Sequence, residues 1–280
     1  MKGLVINKNA NLFLVEHEEK KYQLSPSGKT RAKGIFVGDF VEFAENITGV
    51  CERKNLLIRP PVANIDKMFI IIAPSPKPDF ILMDKILIYC HLNEIQPVVV
   101  VNKADIGGEK LACQVREYYN DAYKVILVSA KNGELSSFED EISGICALAG
   151  QSAVGKSSLI NAIFKDKIFT EVGELSKKIE RGKQTTRMVN LYKLKENAYI
   201  ADTAGFSLLD LAFVGNIEAR ELSSFYPDFL KARAECKFRS CTHEGGECGV
   251  VDFVAQGKIN KKRYENYLKI LQELKSSKKY

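Results

Sequence analysis

No apolar run in this 280-residue chain approaches the roughly 20 residues that a membrane-spanning helix requires. A soluble chain without membrane contact is therefore expected. The opening stretch from Met1 to Asn11 lacks the charged-then-apolar layout and small-residue cleavage site of an export signal, so a cytoplasmic location is the default expectation. There is no long internal repeat and no low-complexity tract. Cysteines are few and odd in number, seven, and Cys51, Cys90, Cys113 and Cys146 fall singly within apolar runs, as small buried hydrophobes do. A diffuse basic surface is also missing. The net charge is +6, and residues 256–280 carry that whole excess, with eight Lys and Arg against Glu265 and Glu273. Two readings of this tail stay open: a local contact with an anionic partner, or a solvated helix with a frayed end.

What is present is ordinary globular composition, 45% apolar and 27% charged, in a chain long enough for more than one core. From Gly3 to Cys51, short runs such as Asn11 to Val15, Lys21 to Leu24 and Asp39 to Phe43 alternate between apolar and polar residues, broken by turn residues. This pattern predicts a small β-barrel. Arg59 to Pro61 reads as a linker. Beyond it, apolar strands alternate with helical stretches. Strands are expected over Lys67 to Ala73, Gln96 to Val101, Val125 to Val128, Ile145 to Ala149 and Ala198 to Ala201. Helices are expected near Asp79 to Asn93, near Glu109 to Tyr119 and from Lys156. Buried strands between helices imply an α/β fold with a doubly wound, mostly parallel sheet. A last helix places Tyr264, Tyr267, Leu268, Leu271 and Leu274 on one face.

Gly150, Gln151, Ser152, Ala153, Val154, Gly155, Lys156 and Ser157, followed by Ser158, match the phosphate-loop pattern between a strand and a helix. Loop N–H groups cradle phosphate oxygens there, Lys156 neutralises β/γ charge and Ser157 offers a hydroxyl to Mg²⁺. The strand ending at Ala201 runs into Asp202, Thr203, Ala204 and Gly205. Asp202 can hold Mg²⁺ through water, and Gly205 leaves its N–H free to approach a γ-phosphate. Between these motifs lie Gly182, Lys183, Gln184, Thr185, Thr186 and Arg187, a polar stretch suited to closing over the cation. Thr186 is the preferred Mg²⁺ ligand and Thr185 the reserve.

Two further strands end in Asn102, Lys103, Ala104, Asp105 and in Ser129, Ala130, Lys131. Guanine presents N1–H and a 2-amino group to a carboxylate such as Asp105, whereas adenine presents an acceptor and no amino group. Leaving that carboxylate unpaired costs about 1.5 to 3 kcal/mol, which disfavours ATP. Asn102 can tie the base edge to the phosphate loop, Lys103 can lie along the base plane, and the Ala130 N–H can meet guanine O6. These base-reading motifs precede the phosphate loop, the reverse of the Ras-like order. The expectation is a circularly permuted P-loop GTPase domain.

Cys236, Cys241, His243 and Cys248 offer three thiolates and an imidazole within 13 residues. Such a set suits one structural, tetrahedral Zn²⁺ per chain, with reactive cysteines as the competing reading.

Taken together, the β-rich start, the permuted motif order, the Cys₃His cluster and the basic terminal helix resemble the RsgA family of small-ribosomal-subunit biogenesis GTPases over nearly the whole chain. The resemblance implies an OB-fold over 1–61, a permuted GTPase domain over 62–225 and a zinc-binding helical domain over 226–280. It implies a monomer that binds GTP or GDP, the small ribosomal subunit and its rRNA, and hydrolyses GTP with Mg²⁺ during late subunit maturation. An RNA-binding module with incidental hydrolysis, or a GTPase serving the large subunit, are the alternatives. Gln184 stands where the family usually has a histidine proposed to position the attacking water, a task glutamine or a ribosomal group can also perform. Phe206 stands where Ras-like enzymes keep their catalytic glutamine, which implies slow unaided turnover. Ala153 replaces the usual glycine or asparagine, so a left-handed backbone there would carry strain of about 1 to 2 kcal/mol.

Overall fold

The computed structural model describes residues 1–31, 34–58, 61–164, 189–202 and 217–277. The alternating N-terminal pattern folds as β1 (Lys2–Asn9), β2 (Leu12–His17), β3 (Lys20–Leu24), the short α1 (Gly28–Arg31), β4 (Phe40–Phe43) and β5 (Ile47–Val50). β1 pairs antiparallel with β2 and with β4, β2 with β3, and β4 with β5. A parallel bridge from Pro26 to Ile47 joins the end of β3 to β5. The ring order 1-2-3-5-4-1 is that of a five-stranded OB barrel. Its alternating inward residues, among them Val5, Phe13, Val15, Val41, Phe43 and Ile47, form a separate apolar core.

The expected linker at Arg59 to Pro61 is corrected at its end. Pro61 opens β7 (Pro61–Ala63) and pairs with Ile58 of β6 (Leu56–Ile58) in an antiparallel hairpin. Leu57 and Val62 are fully buried and belong to the main core, so the strands on either side of residues 59–60 are packed, while those two residues lie outside the described ones.

The central sheet runs β10 (Val125–Leu127), β9 (Gln96–Val101), β8 (Lys67–Ile72), β11 (Gly144–Ala149), β13 (Ala198–Asp202), β12 (Asn190–Lys195). The first five are mutually parallel and β12 is antiparallel to β13. The near-continuous apolar runs of β8 and β9 follow from burial on both faces. One face packs α2 (Phe80–Leu92) and α3 (Gly108–Tyr119), the other α4 (Ser136–Glu141) and α5 (Lys156–Phe164). The Asp79 carboxylate accepts the Leu82 N–H at 3.0 Å and so starts α2 where the sequence places it. β12 was not anticipated. It carries the sheet across to the barrel, pairing with β1 at Asn7 and Asn190.

After two 3₁₀ turns come α6 (Leu230–Ala234), α7 (Gly249–Ala255) and α8 (Lys261–Ser277). Tyr267, Leu271 and Leu274 are buried as read, in a core that also takes Ile88 from α2. The picture of a freely solvated basic tail does not hold for Arg263, whose side chain is 1% exposed. Its guanidinium meets Asp84 of α2 at 2.5 Å and Asp228 at 3.2 and 3.3 Å, between the rings of Tyr226 at 4.0 Å and Tyr119 at 4.7 Å. Burial pushes the Asp84 carboxyl up to about 6 against the pull of that guanidinium. Lys275 pairs with Glu244 at 2.5 Å, while Lys278 and Lys279 lie outside the described residues.

Removing Arg263 strands two buried carboxylates. Arg263→Met is expected to destabilise the folded chain by about 3 to 5 kcal/mol, read as a lowered denaturant midpoint. A midpoint unchanged from wild type would show that the contact is marginal.

Candidate functional site

The carboxyl ends of β8, β9, β10, β11 and β13 share one sheet edge, where ligands of open α/β sheets bind. From β11 the chain turns at Gly150, with φ +134°, where a Cβ would lie 2.2 Å from the Ile71 carbonyl oxygen. It enters α5 after Gly155, with φ +97°, where a Cβ would lie 2.3 Å from Asn102 Nδ2. Glycine is required at both positions. Ala153 adopts φ +64°, so the left-handed strain expected for an alanine there is present. Its carbonyl accepts Lys103 Nζ at 2.9 Å, an interaction that offsets part of the strain.

Lys156 donates to the carbonyls of Gly150 at 2.7 Å and Gln151 at 2.6 Å, folding its ammonium over the loop. Burial lowers its pKa, the signature of a half-desolvated cation that an anion would stabilise. Ser157 and Ser158 are exposed on the first turn of α5, and Ser152 is exposed on the loop. Val154 is fully buried, and its carbonyl accepts from Asn102.

Asn102 is the link between the two halves of the site. Only 1% exposed, it donates through Nδ2 to Val154 O at 2.9 Å and accepts through Oδ1 from the Ala130 N–H at 3.2 Å. The donor expected for guanine O6 is thus held by Asn102 here. Lys103, at φ +63°, also donates to Ser75 O at 2.6 Å. Asp105 accepts from the Ser129 hydroxyl at 3.0 Å and lies 3.6 Å from Lys131 Nζ, with 17% of its side chain exposed. A mostly sequestered carboxylate beside a serine and a lysine can accept two N–H donors from a base edge.

The Asp202 backbone ends β13 one strand from the phosphate loop, paired with Asn190. Gln184, Thr185, Thr186, Gly205 and Phe206 lie outside the described residues. One contact escaped the sequence reading. Gln151 donates to Lys77 O at 3.2 Å and accepts the Asp79 N–H at 3.0 Å, clamping the turn before α2 onto the phosphate loop. The available signal was that β8 ends between β9 and β11, so the turn after it had to border the site.

In the C-terminal module, the four donor atoms of Cys236, Cys241, His243 and Cys248 lie within 4.8 Å of one another. Cys248 Sγ is 3.8 Å from Cys236 Sγ and 3.7 Å from Cys241 Sγ. His243 Nδ1 is 3.4 Å from the sulfurs of Cys236 and Cys248. A tetrahedron with metal–sulfur bonds near 2.3 Å has S–S edges of about 3.8 Å, so the donors fit a zinc ion. Burial, aided by Arg233, lowers His243 to about 4 and keeps the imidazole neutral, as a ligand must be. Burial raises the Cys248 thiol to about 11, so metal binding has to expel protons. Tyr264 and Tyr267 of α8 donate to the carbonyls of His243 at 2.7 Å and Thr242 at 2.9 Å, seating the ligand loop on the helix.

Comparison with known proteins agrees with this geometry. A family model described as RsgA GTPase matches residues 50–212. The chain is 36% identical over 298 residues to the small ribosomal subunit biogenesis GTPase RsgA of Halalkalibacterium halodurans, covering 99% of this chain and 98% of that one. It is 39% identical over 287 residues to the protein of that description from Clostridium botulinum, covering 98% and 97%. Among solved structures, YjeQ from Thermotoga maritima superposes with a TM-score of 0.81 at 32% identity, covering 98% of each chain. YloQ, described as a circularly permuted GTPase, superposes at 0.79 and 29% identity, covering 98% and 95%.

Asp105→Asn replaces an acceptor with an amide that offers a donor to the 2-oxo group of xanthine. GTP affinity is expected to fall about 10- to 100-fold while xanthosine triphosphate affinity rises. Competition titrations with a fluorescent nucleotide check this, and unchanged GTP binding would remove Asp105 from the base site.

Proposed function

The chain belongs to the RsgA GTPase family, and from that premise we propose that it hydrolyses GTP to control its own release from small ribosomal subunits late in their maturation. The observation that carries this reading is Asn102, one buried amide bonded at once to the phosphate loop and to the base-reading loop. A bridge of that kind makes triphosphate and guanine recognition parts of one site.

In this reading Asp105 and Lys103 read the base, the Ala130 N–H is shared between Asn102 Oδ1 and guanine O6, and Ser129 and Lys131 orient the Asp105 carboxylate. The loop from Gly150 to Gly155 and the first turn of α5 hold the phosphates through N–H groups and Lys156. Ser157, Thr186 and Asp202 are the ligands assigned to Mg²⁺, which supplies charge neutralisation on the β- and γ-phosphates. The Gly205 N–H is assigned to the γ-phosphate, and Gln184 is assigned to the attacking water. With Phe206 where a Ras-like enzyme has glutamine, unaided hydrolysis is slow and the ribosomal particle completes the site. One structural Zn²⁺ sits among Cys236, Cys241, His243 and Cys248. The division of labour follows residues 1–61 as barrel, 62–225 as GTPase and 226–280 as zinc module, in a cytoplasmic monomer.

The test is sedimentation with separated subunits. The chain is expected to pellet with small subunits in the presence of a non-hydrolysable GTP analogue and to remain in the supernatant with GDP. Pelleting with large subunits, or equal pelleting in both nucleotides, would overturn the reading.

A further inference from the structure

The cations around α8 fall into two groups. Arg263 is buried against carboxylates, Lys275 meets Glu244 at 2.5 Å, and Lys85 meets Glu273 at 2.6 Å. Lys262 and Lys269, exposed on the same helix, have no ion-pair partner among the described residues, and neither has Lys77. These three unpaired lysines line one groove of about 450 Å³. Two carboxylates share the groove, Asp79, whose Oδ1 caps α2, and Glu265, so the three ammonium groups leave it one positive charge in excess. Between them lies Phe80, half-buried and stacked on Tyr118 with centroids 4.4 Å apart. Point cations around an aromatic ring suit a nucleic-acid backbone with a base in reach.

The groove also touches the nucleotide site. One wall is the turn that holds Lys77 and Asp79, and this turn is fastened to the phosphate loop by both ends of the Gln151 amide. Lys103 of the base-reading loop holds the same turn at Ser75. The opposite wall is α8, tied to α3 through the Asn266 donation to Tyr118 at 2.7 Å.

Resting on the reading of the chain as a small-subunit GTPase, we propose that this groove receives a segment of RNA backbone, with Lys77, Lys262 and Lys269 on its phosphates. Gln151 makes the grip dependent on the state of the phosphate loop. The contact is thus on the α3-facing side of α8, beside the GTPase, and not at the last lysines of the sequence.

The test uses the full chain with Lys77→Gln, Lys262→Gln and Lys269→Gln together, all at exposed positions. A second variant carries only the two helix changes, and Lys258→Gln, outside the groove, serves as control. Affinity for small subunits and for their deproteinised RNA is measured across salt concentrations. Each lost phosphate contact lowers the slope of log K against log salt by about 0.7 to 0.9, so the triple variant should lose about two to three units of slope and roughly ten-fold or more in affinity. RNA binding by the control and the GTP affinity of the lysine variants should be unchanged. Gln151→Ala, at saturating nucleotide, should still bind RNA but lose the preference between the GTP analogue and GDP. If wild type binds neither particle nor RNA, the functional reading itself fails. If wild type binds and the triple variant keeps its slope, the groove is not the contact. A loss on subunits but not on naked RNA would mean an acidic protein occupant and would also overturn the proposal. A retained nucleotide preference in Gln151→Ala would overturn the coupling.

Discussion

The burial of one guanidinium, Arg263, sets how the C-terminal module sits on the GTPase sheet. A charge withdrawn from water this completely persists only with matched partners, and here they come from two places: Asp84 on a helix of the GTPase sheet and Asp228 in the C-terminal module. Tyr119 and Tyr226 close over its faces from the same two places. A contact that needs all of these groups at once has few alternative geometries. It therefore fixes α8 against α2 and α3, and the tyrosines of α8 in turn seat the loop carrying His243.

That packing continues toward the nucleotide. α2 begins at Asp79, whose N–H is held by Gln151 of the phosphate loop, and α2 carries Asp84 a little more than one turn further on. A hydrogen-bonded and packed route thus runs from the phosphate loop through the 75–79 turn and α2 to Arg263 and the zinc module. The permutation of the fold adds a covalent route. Because the base-reading strands come first, the strand ending in Asp202 is the last of the sheet among the described residues, and the next described elements belong to the C-terminal module. Only the second route is a consequence of motif order, and an unpermuted sheet would still offer the first.

Much of this was legible in the residues. β9 has the bounds its run of valines implies, α2 begins and ends at the capping residues Asp79 and Asn93, and the Cys₃His spacing foretold a cluster that does close. Local signals of this kind depend on neighbours in sequence. What was illegible depends on partners far away in it. Arg263 reads as one more solvated cation in a basic tail until Asp84, 179 residues earlier, is seen beside it. The β12 bridge to β1 joins Asn190 to Asn7, and Pro61 looks like a linker residue until Ile58 pairs with it. Gln151 fits the phosphate-loop pattern at a position where any side chain is allowed, so nothing marked its amide as a clamp. The left-handed Ala153 is the reverse case, since the pattern flagged the strain and the backbone carries it.

In the proposed function the guanine site binds nucleotide unaided but turns it over slowly until a small subunit supplies what Phe206 does not. Single-turnover GTP hydrolysis by the full chain, with and without small subunits and with ATP as the competing substrate, tests it most directly. The expected result is slow GTP hydrolysis alone, marked acceleration on small subunits and no comparable reaction with ATP. A rate unchanged by small subunits, or shared equally by ATP, would contradict it.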